Sequence, residues 1–399
     1  MILSSDDRRM TDFRQQFLAL DELLSRHRHY WHSQPFVSAP EWADEVEFLT
    51  EIDDDRIHQA QASDSALLQL FQGQFPELCE QIAQLCTVPV SRTEIASHAP
   101  PFVPGRKWRQ IESFAHSIKP LSHPTLEWCC GKAHLSRYLS QLSASEAQGL
   151  EIDAALVEAG NALAKRSQQP VQVIQVDVLE DAAADHISSE SHVLGLHACG
   201  GLHRKLLTDA TAQQAARLSY SPCCYHKFLD RAFQALSAEG QKSELQLTLA
   251  DLRTAVRQNS TAGSAERRRH HQQQGWRLGF DVLQRELRQV NQYLPTPPLP
   301  ATALQQDFEY YCRLLAEQKN LHLPAGVNFS AFEQRGRERY RAVIRQELLR
   351  ALFRRPLELW LVLDQILFLQ DAGYRCELTS FCPQSITPRN LLIDAHYQH

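Results

Sequence analysis

Apolar positions change their spacing twice along this chain, and each change marks a change of architecture. Up to about residue 88 they recur at three- and four-residue intervals. Phe13, Phe17, Leu20, Leu23 and Leu24 form one such stripe, and Leu67, Leu68, Leu70 and Phe71 another, the period of helices that bury one face. Pro35, Pro40 and Pro76 break this stretch into separate helices, and Pro89 to Pro104, with four prolines, reads as a linker. Trp108, Ile111, Phe114, Ala115 and Ile118 then give one further helix.

From there short apolar runs alternate with amphipathic ones. Strands are expected near 125–129, 147–151, 171–176, 191–198 and 217–222, with helices at about 133–143, 153–166 and 202–215 between them. That order predicts a mostly parallel sheet with helices on both faces and ligand sites beyond the carboxyl ends of its strands. Residues 229 to about 355 return to helical spacing. Leu245, Leu249, Leu252 and Val256 suit one helix, and Pro295, Pro297, Pro298 and Pro300 mark a rigid loop. A helix from Pro356 to Gln370 leads to strands at Cys376–Cys382 and Arg389–Asp394. About six residues separate these two, too few for a helical crossover, so they should pair antiparallel. The expected plan is a helical N-terminal domain over 1–100 and an α/β domain over 101–399 with a helical insertion at about 229–355.

Length and charge refine this picture. A chain of 399 residues can hold two or three domains with ample core, and a net charge of −6 excludes a uniformly basic nucleic-acid binder. A local basic patch is still open. Arg267-Arg268-Arg269-His270-His271, followed by Trp276 and joined by Arg335, Arg337, Arg339 and Arg341, suits a nucleic-acid-facing surface or a solvated helix face equally, because Glu266 and Glu338 are interleaved. The most apolar stretch, Leu357 to Leu369, carries Glu358 and Asp364 and reads as an amphipathic core helix, so no membrane association is expected. The opening residues lack a secretory apolar core, and ten cysteines are too sparse for a disulfide scaffold. Reduced thiols in a cytoplasm are the expectation.

Five of those cysteines, Cys129, Cys130, Cys199, Cys223 and Cys224, fall in three short segments at expected strand ends. The first segment, Leu126 to Leu139, combines a strand end, a tight loop on Gly131 and an amphipathic helix. Twenty residues after Gly131 comes Glu151, at the end of the next strand. α/β folds hold an adenosyl cofactor in this way, with loop backbone and helix N-terminus against the ligand and the carboxylate on the ribose hydroxyls. Asp153 reads as the N-cap of the following helix. Asp177, after the third strand, either contacts an adenine amino group or caps its own loop.

Four segments in order carry a resemblance: Glu-Trp-Cys-Cys-Gly-Lys-Ala-His-Leu-Ser (127–136), Leu-His-Ala-Cys-Gly-Gly-Leu (196–202), Ser-Pro-Cys-Cys-Tyr-His (221–226) and Thr-Pro-Arg-Asn-Leu (387–391). The chain is similar to the class I S-adenosylmethionine-dependent methyltransferases, whose α/β fold is a Rossmann-like seven-stranded sheet with an antiparallel last strand. More narrowly it resembles the methyltransferase-like family with Gly-Lys-Gly-His-Leu, Leu-His-x-Cys-Gly-Asp-Leu, Cys-Cys-Tyr-His and Ser/Thr-Pro-Arg-Asn segments. The tRNA 2′-O-methyltransferases with a Cys-Cys-His-His segment are more distantly similar. The likeness spans about residues 100 to 395. It implies S-adenosylmethionine as cofactor, held by Glu127, Cys129, Gly131, Lys132, His134, Glu151, Asp177, His197 and Ala198. It also implies an RNA acceptor, tRNA or rRNA, with a protein substrate or a non-catalytic binding module as alternatives. Ala133 stands where that family usually has glycine and reads as a first-turn helix residue. Gly201 stands where aspartate is usual, which removes a possible carboxylate from the cleft.

The catalytic candidates are His197, Cys224, Tyr225 and His226. The Asn/Asp-Pro-Pro-Tyr segment of many amino-group methyltransferases is absent at 197–200, which counts against adenine or glutamine N-methylation. His197 suits a general base, a cofactor contact or a structural histidine. The segment Ser221–His226 has three readings. With Cys199 and His197 it offers a zinc set, weakened because adjacent cysteines rarely reach one ion and no CxxC pair exists. Cys199 with Cys223 or Cys224 occupies places comparable to the two catalytic cysteines of RNA cytosine-5 methyltransferases. The favoured reading has Tyr225 and His226 shaping the acceptor pocket, since methyl transfer needs little beyond in-line placement and at times a base; no resident metal is expected. Arg389 and Asn390 open the last strand and brace the cleft.

Overall fold

The computed structural model describes residues 12–91, 103–143, 145–229, 232–257 and 264–398; most of the expected linker lies outside them. Seven strands form one sheet: β1 Thr125–Trp128, β2 Ala147–Glu151, β3 Val171–Gln175, β4 His192–Gly195, β5 Arg217–Tyr220, β6 Tyr374–Ser380 and β7 Leu391–Tyr397. Their order is β3-β2-β1-β4-β5-β7-β6. The first five run parallel, and β7 pairs antiparallel with both β5 and β6. This is the expected α/β, Rossmann-like sheet with its terminal hairpin. Every residue of β1, β4 and β5 is buried, as parallel strands covered on both faces must be. The chain leaves β1 toward β2 on one side and returns to β4 on the other. That reversal opens a crevice at the carboxyl ends of β1 and β4.

One face packs Trp108, Ile111 and Phe114 of the helix Gly105–Ser117 with Leu135, Leu139, Leu194, Phe381 and Leu392. Within the sheet, β5 and β7 are joined by a buried polar seam. Arg217 donates to both Asp394 oxygens (2.9 and 2.6 Å), and Ser219 Oγ donates to the same carboxylate at 2.7 Å. His192 of β4 contacts Ser219 Oγ at 2.6 Å.

Three expectations, two helices and a strand, are corrected. Leu245 stands outside the helix expected to hold it, which runs Leu249–Ala255. A capping box between Thr248 and Asp251 fixes that start. Leu357–Leu369 lies in the helix Arg354–Asp371 and is buried nearly all round, not amphipathic. Its charges are inside because each has partners: Asp364 accepts from the Leu236 and Ser237 N–H groups and Ser237 Oγ, and Glu358 pairs with Arg355 at 2.7 Å. The last strand begins at Leu391, since Arg389 and Asn390 turn aside to the carbonyls of Val256 and Cys382.

The chain divides into two compact units that do not follow a boundary at residue 100. The sheet unit comprises residues up to Arg26, Gln81–Val256 and the chain from Arg355 onward. The helix Phe13–Arg26 joins it because Phe17 packs on Trp360 (5.2 Å) and Asp21 accepts from Trp360 Nε1 at 2.8 Å. The second unit combines His27–Glu80 with Arg257–Arg354. Its long helices Ser264–Arg288 and Phe329–Leu352 enclose a core of Trp276, Phe280, Leu283, Phe308, Tyr311 and Leu315. Arg345 and Arg350 donate to the carbonyls of Ile52 and Trp31, which ties its two stretches together.

Candidate active site

The loop after β1 turns through three left-handed residues, Cys129, Gly131 and Ala133. Ala133 is therefore not in a helical turn; the helix begins at His134. Its methyl is fully buried among Cys130, Ala147 and Val173, and that packing holds an alanine where left-handed backbone costs it about 1 kcal/mol. Gly131 is the reverse case. A Cβ placed there meets no heavy atom within 4 Å, so the backbone is open on that side. Its N–H donates to Glu151 Oε2 at 2.8 Å, and Glu151 Oε1 accepts from Asp153 N–H at 3.1 Å. The ends of β1 and β2 are thereby joined through one carboxylate. Asp153 caps the helix Ala154–Arg166, as expected.

Glu127, inside β1, accepts from Ser136 N–H (3.0 Å) and Oγ (2.6 Å) through one oxygen. Burial raises its pKa to about 7, against the lowering effect of Ser136 and of Lys107. Cys129 sits within electrostatic range of Glu127, Glu151, Asp177 and Cys199; burial first, then these charges, push its thiol up to about 12, so it is no thiolate. Cys130 is buried beneath β2 and likewise held neutral by burial. Asp177 accepts from Leu179 N–H at 3.0 Å, the loop-capping geometry. His134 and His197 are both lowered to about 4, chiefly by surrounding protein, with Lys107 contributing to each. Lys132 is exposed at the loop tip. The structure thus gathers acidic groups, neutral histidines and an open glycine at one strand edge. Lys107 belongs to this wall and carried no sequence motif, and Ser136 closed the 127–136 segment without a role assigned to it.

The opposite wall is built from the loops after β4 and β5, which are interlocked. Gly200 N–H donates to Cys223 O (2.9 Å), Gly201 N–H to Lys227 O (2.8 Å), and Lys227 N–H to Cys224 O (2.9 Å). A Cβ on Gly200 would lie 2.0 Å from Lys227 O, and one on Gly201 only 1.6 Å from Phe228 O. An aspartate is excluded at 201 because the neighbouring backbone fills its place. Cys199 and Cys223 sulfurs are 3.4 Å apart, and with Cys224 they form one cluster. Donation from the Cys223 thiol, with Arg389 and Lys227 adding, holds Cys224 down to about 5. Ser221 Oγ donates to Arg389 O (3.1 Å), the bracing expected of that segment.

Beside the cluster, Tyr225 is fully buried, and His226 is half-buried with a pKa lowered by burial and Arg253. The Tyr225 hydroxyl and His226 Nδ1 have no hydrogen-bond partner among the described residues. Behind them stands a residue that sequence reading passed over. His203 Nδ1–H donates to Ala198 O (3.2 Å), its Nε2 accepts from Gln365 (3.2 Å), and Gln365 accepts from Tyr220 OH (3.0 Å). Its ring also meets Tyr225 edge-on at 5.7 Å. Only the run of buried aromatics around it hints at this role.

In the second unit the basic run, equally suited by sequence to a nucleic-acid-facing surface or a solvated helix face, has its tryptophan inside. Trp276 is buried against Phe308 and Tyr311 and donates to Glu333 at 2.8 Å. Arg335, Arg337 and Arg339 are paired with Glu286, Glu333 and Asp281. Arg268 and Arg269 instead line a concavity of about 490 Å³ with Gln272 and Gln305. Among the described residues no helix is long and apolar enough to cross a membrane.

Residues 106–231 match a family model described as "Methyltransferase domain". A search of curated proteins returned no match. Among solved structures, a geranyl diphosphate methyltransferase in complex with geranyl diphosphate and sinefungin is 15% identical, covering 29% of this chain and 45% of that one, TM-score 0.25. TrmK of M. capricolum in complex with S-adenosylhomocysteine is 15% identical over 28% of this chain and 50% of that one, TM-score 0.23. A coclaurine N-methyltransferase is 12% identical over 53% and 58%, TM-score 0.25. The chain spans about half the length of the first solved structures it matches.

Proposed function

We propose that this chain is a class I S-adenosylmethionine-dependent methyltransferase that acts on RNA, tRNA or rRNA in particular. The observation that carries the reading is the joint between Gly131 and Glu151 at the carboxyl edge of β1 and β2, inside the stretch matched as a methyltransferase domain. The site fits the cofactor on its own chemistry. Gly131 presents open backbone, Glu151 offers a carboxylate at the end of β2, and Asp177 adds a further carboxylate at the same edge, suited to a sulfonium cation. The bound cofactor supplies an electrophilic methyl group.

The chain's own residues do the placing. The 129–133 loop and the N-terminus of the helix His134–Ser143 hold the amino-acid end, Glu151 the ribose, and Asp177 with Ala198 the base. Tyr225 and His226 bring buried, unmatched polar atoms to the acceptor side. His226 is neutral at pH 7 and so can accept a proton from an acceptor hydroxyl. Support for RNA is the likeness of the Cys-Cys-Tyr-His segment to the tRNA 2′-O-methyltransferases, together with the Arg268–Arg269 concavity. Titration calorimetry with S-adenosylhomocysteine should show micromolar binding that Glu151→Ala weakens at least about tenfold; unchanged binding in that variant would falsify the cofactor site. Nucleoside mass spectrometry of RNA from a deletion strain should show one methylated nucleoside missing; an unaltered profile removes the RNA assignment.

A further inference from the structure

Cys199, Cys223 and Cys224 do no work in the scheme above, yet their arrangement is specific. Their three sulfurs lie within 4.8 Å of one another, and the Cys199 and Cys223 sulfurs are 3.4 Å apart. Adjacent cysteines rarely converge because their side chains diverge along ordinary backbone. Here Cys224 has φ +45°, a left-handed turn that accompanies the convergence of both sulfurs on Cys199. The loops that carry them are fastened by the Gly200–Cys223, Gly201–Lys227 and Lys227–Cys224 backbone bonds. The cluster is thus held by the fold. Cys223 is buried while Cys199 and Cys224 are half-buried, so one side faces solvent.

We propose that Cys199, Cys223 and Cys224 form a three-thiolate site for a thiophilic ion of the zinc class. Around an ion with metal–sulfur bonds of about 2.3 Å, three thiolates stand roughly 3.8–4.0 Å apart, the separation this cluster brackets. The ligand set is sulfur alone, which selects zinc over magnesium or calcium. Zn(II) held by three thiolates makes a centre of net charge −1, and any thiol proton still present goes to solvent. Lys227 and Arg389, both within electrostatic range of Cys224, balance that charge. Three protein ligands leave a fourth position for water or an acceptor heteroatom on the exposed side. The ion then staples the loops after β4 and β5.

The full chain, purified without a histidine tag or chelator and kept reduced with a phosphine, should carry about one equivalent of zinc by elemental mass spectrometry. Anaerobic titration of stripped protein with Co(II) should give a sulfur-to-cobalt charge-transfer band saturating at one equivalent. Cys199→Ser and Cys224→Ser should each abolish that band, while Cys312→Ser, in the other unit, leaves it intact. The proposal is overturned if the reduced wild-type chain shows neither zinc nor the cobalt band, or if the band survives both cluster substitutions. The wild-type titration decides the matter even where a variant misfolds. S-adenosylhomocysteine binding is measured separately, so failure here leaves the cofactor reading standing.

Discussion

Single residues in the first loop separate two demands that sequence alone runs together. Gly131 and Ala133 share left-handed backbone, but one faces open space and the other a packed core. Gly131→Ala should therefore cost only about 1 kcal/mol of stability, while its methyl enters the ligand side and weakens S-adenosylhomocysteine binding roughly tenfold or more. Ala133→Gly trades backbone relief against a lost buried methyl and a more flexible unfolded chain, and should stay within about 1 kcal/mol of wild type. Thermal melts paired with calorimetry check both; a large stability loss at 131 with intact binding would contradict the assignment. The glycine motif itself was visible in the sequence. The left-handed turn at Ala133 was not, because an alanine after a loop is as easily the first residue of a helix.

At the scale of elements, the order of strands and the terminal hairpin were legible because apolar runs and connection lengths constrain them directly. Glu151 and the Asp153 cap followed from position at a strand end. Three things were hidden: the interlock of the loops after β4 and β5, the left-handed turn at Cys224 that lets two adjacent sulfurs meet Cys199, and the His203 network. Each depends on contacts between segments distant in the chain, which no local period encodes. The interlock also reinterprets Gly201, whose lack of a carboxylate reflects a backbone carbonyl filling the space. Placing a carboxylate there with Gly201→Asp should thus damage the loops. It should lower stability by about 4 kcal/mol or more, read as a large fall in melting temperature; a variant as stable as wild type would mean that the loops are not locked.

Across the whole molecule, buried histidines make stability depend on pH in a definite direction. His203 is lowered to about 3 and His192 well below its ordinary value, both chiefly by burial. In the unfolded chain each titrates near 6.5, so between that value and the folded one the unfolded state binds more protons. Stability is complete above about pH 6.5 and falls as the solution is acidified toward pH 3. Asp394 adds to this at lower pH: burial alone would raise it, but hydrogen bonds from His396 and Arg217 hold it below the usual carboxylate range. Melting temperatures measured from pH 7.5 to pH 5 (a range of about 2.5 units spanning the unfolded histidine value) should fall with acid, less steeply in His203→Gln. Equal slopes in the two proteins would show that His203 is not buried neutral.

The place of β7 has a consequence for how this chain is made. It is the last of the seven strands to be synthesised, yet it lies between β5 and β6, and its Asp394 closes the ion pair with Arg217. Throughout translation of the intervening residues, β5 presents a bare edge and a buried-to-be arginine without its carboxylate. The nascent sheet is thus exposed to edge-on pairing with other chains for as long as the ribosome takes to reach residue 391. The helical stretch between β5 and β6 sets how long that edge waits for its partner.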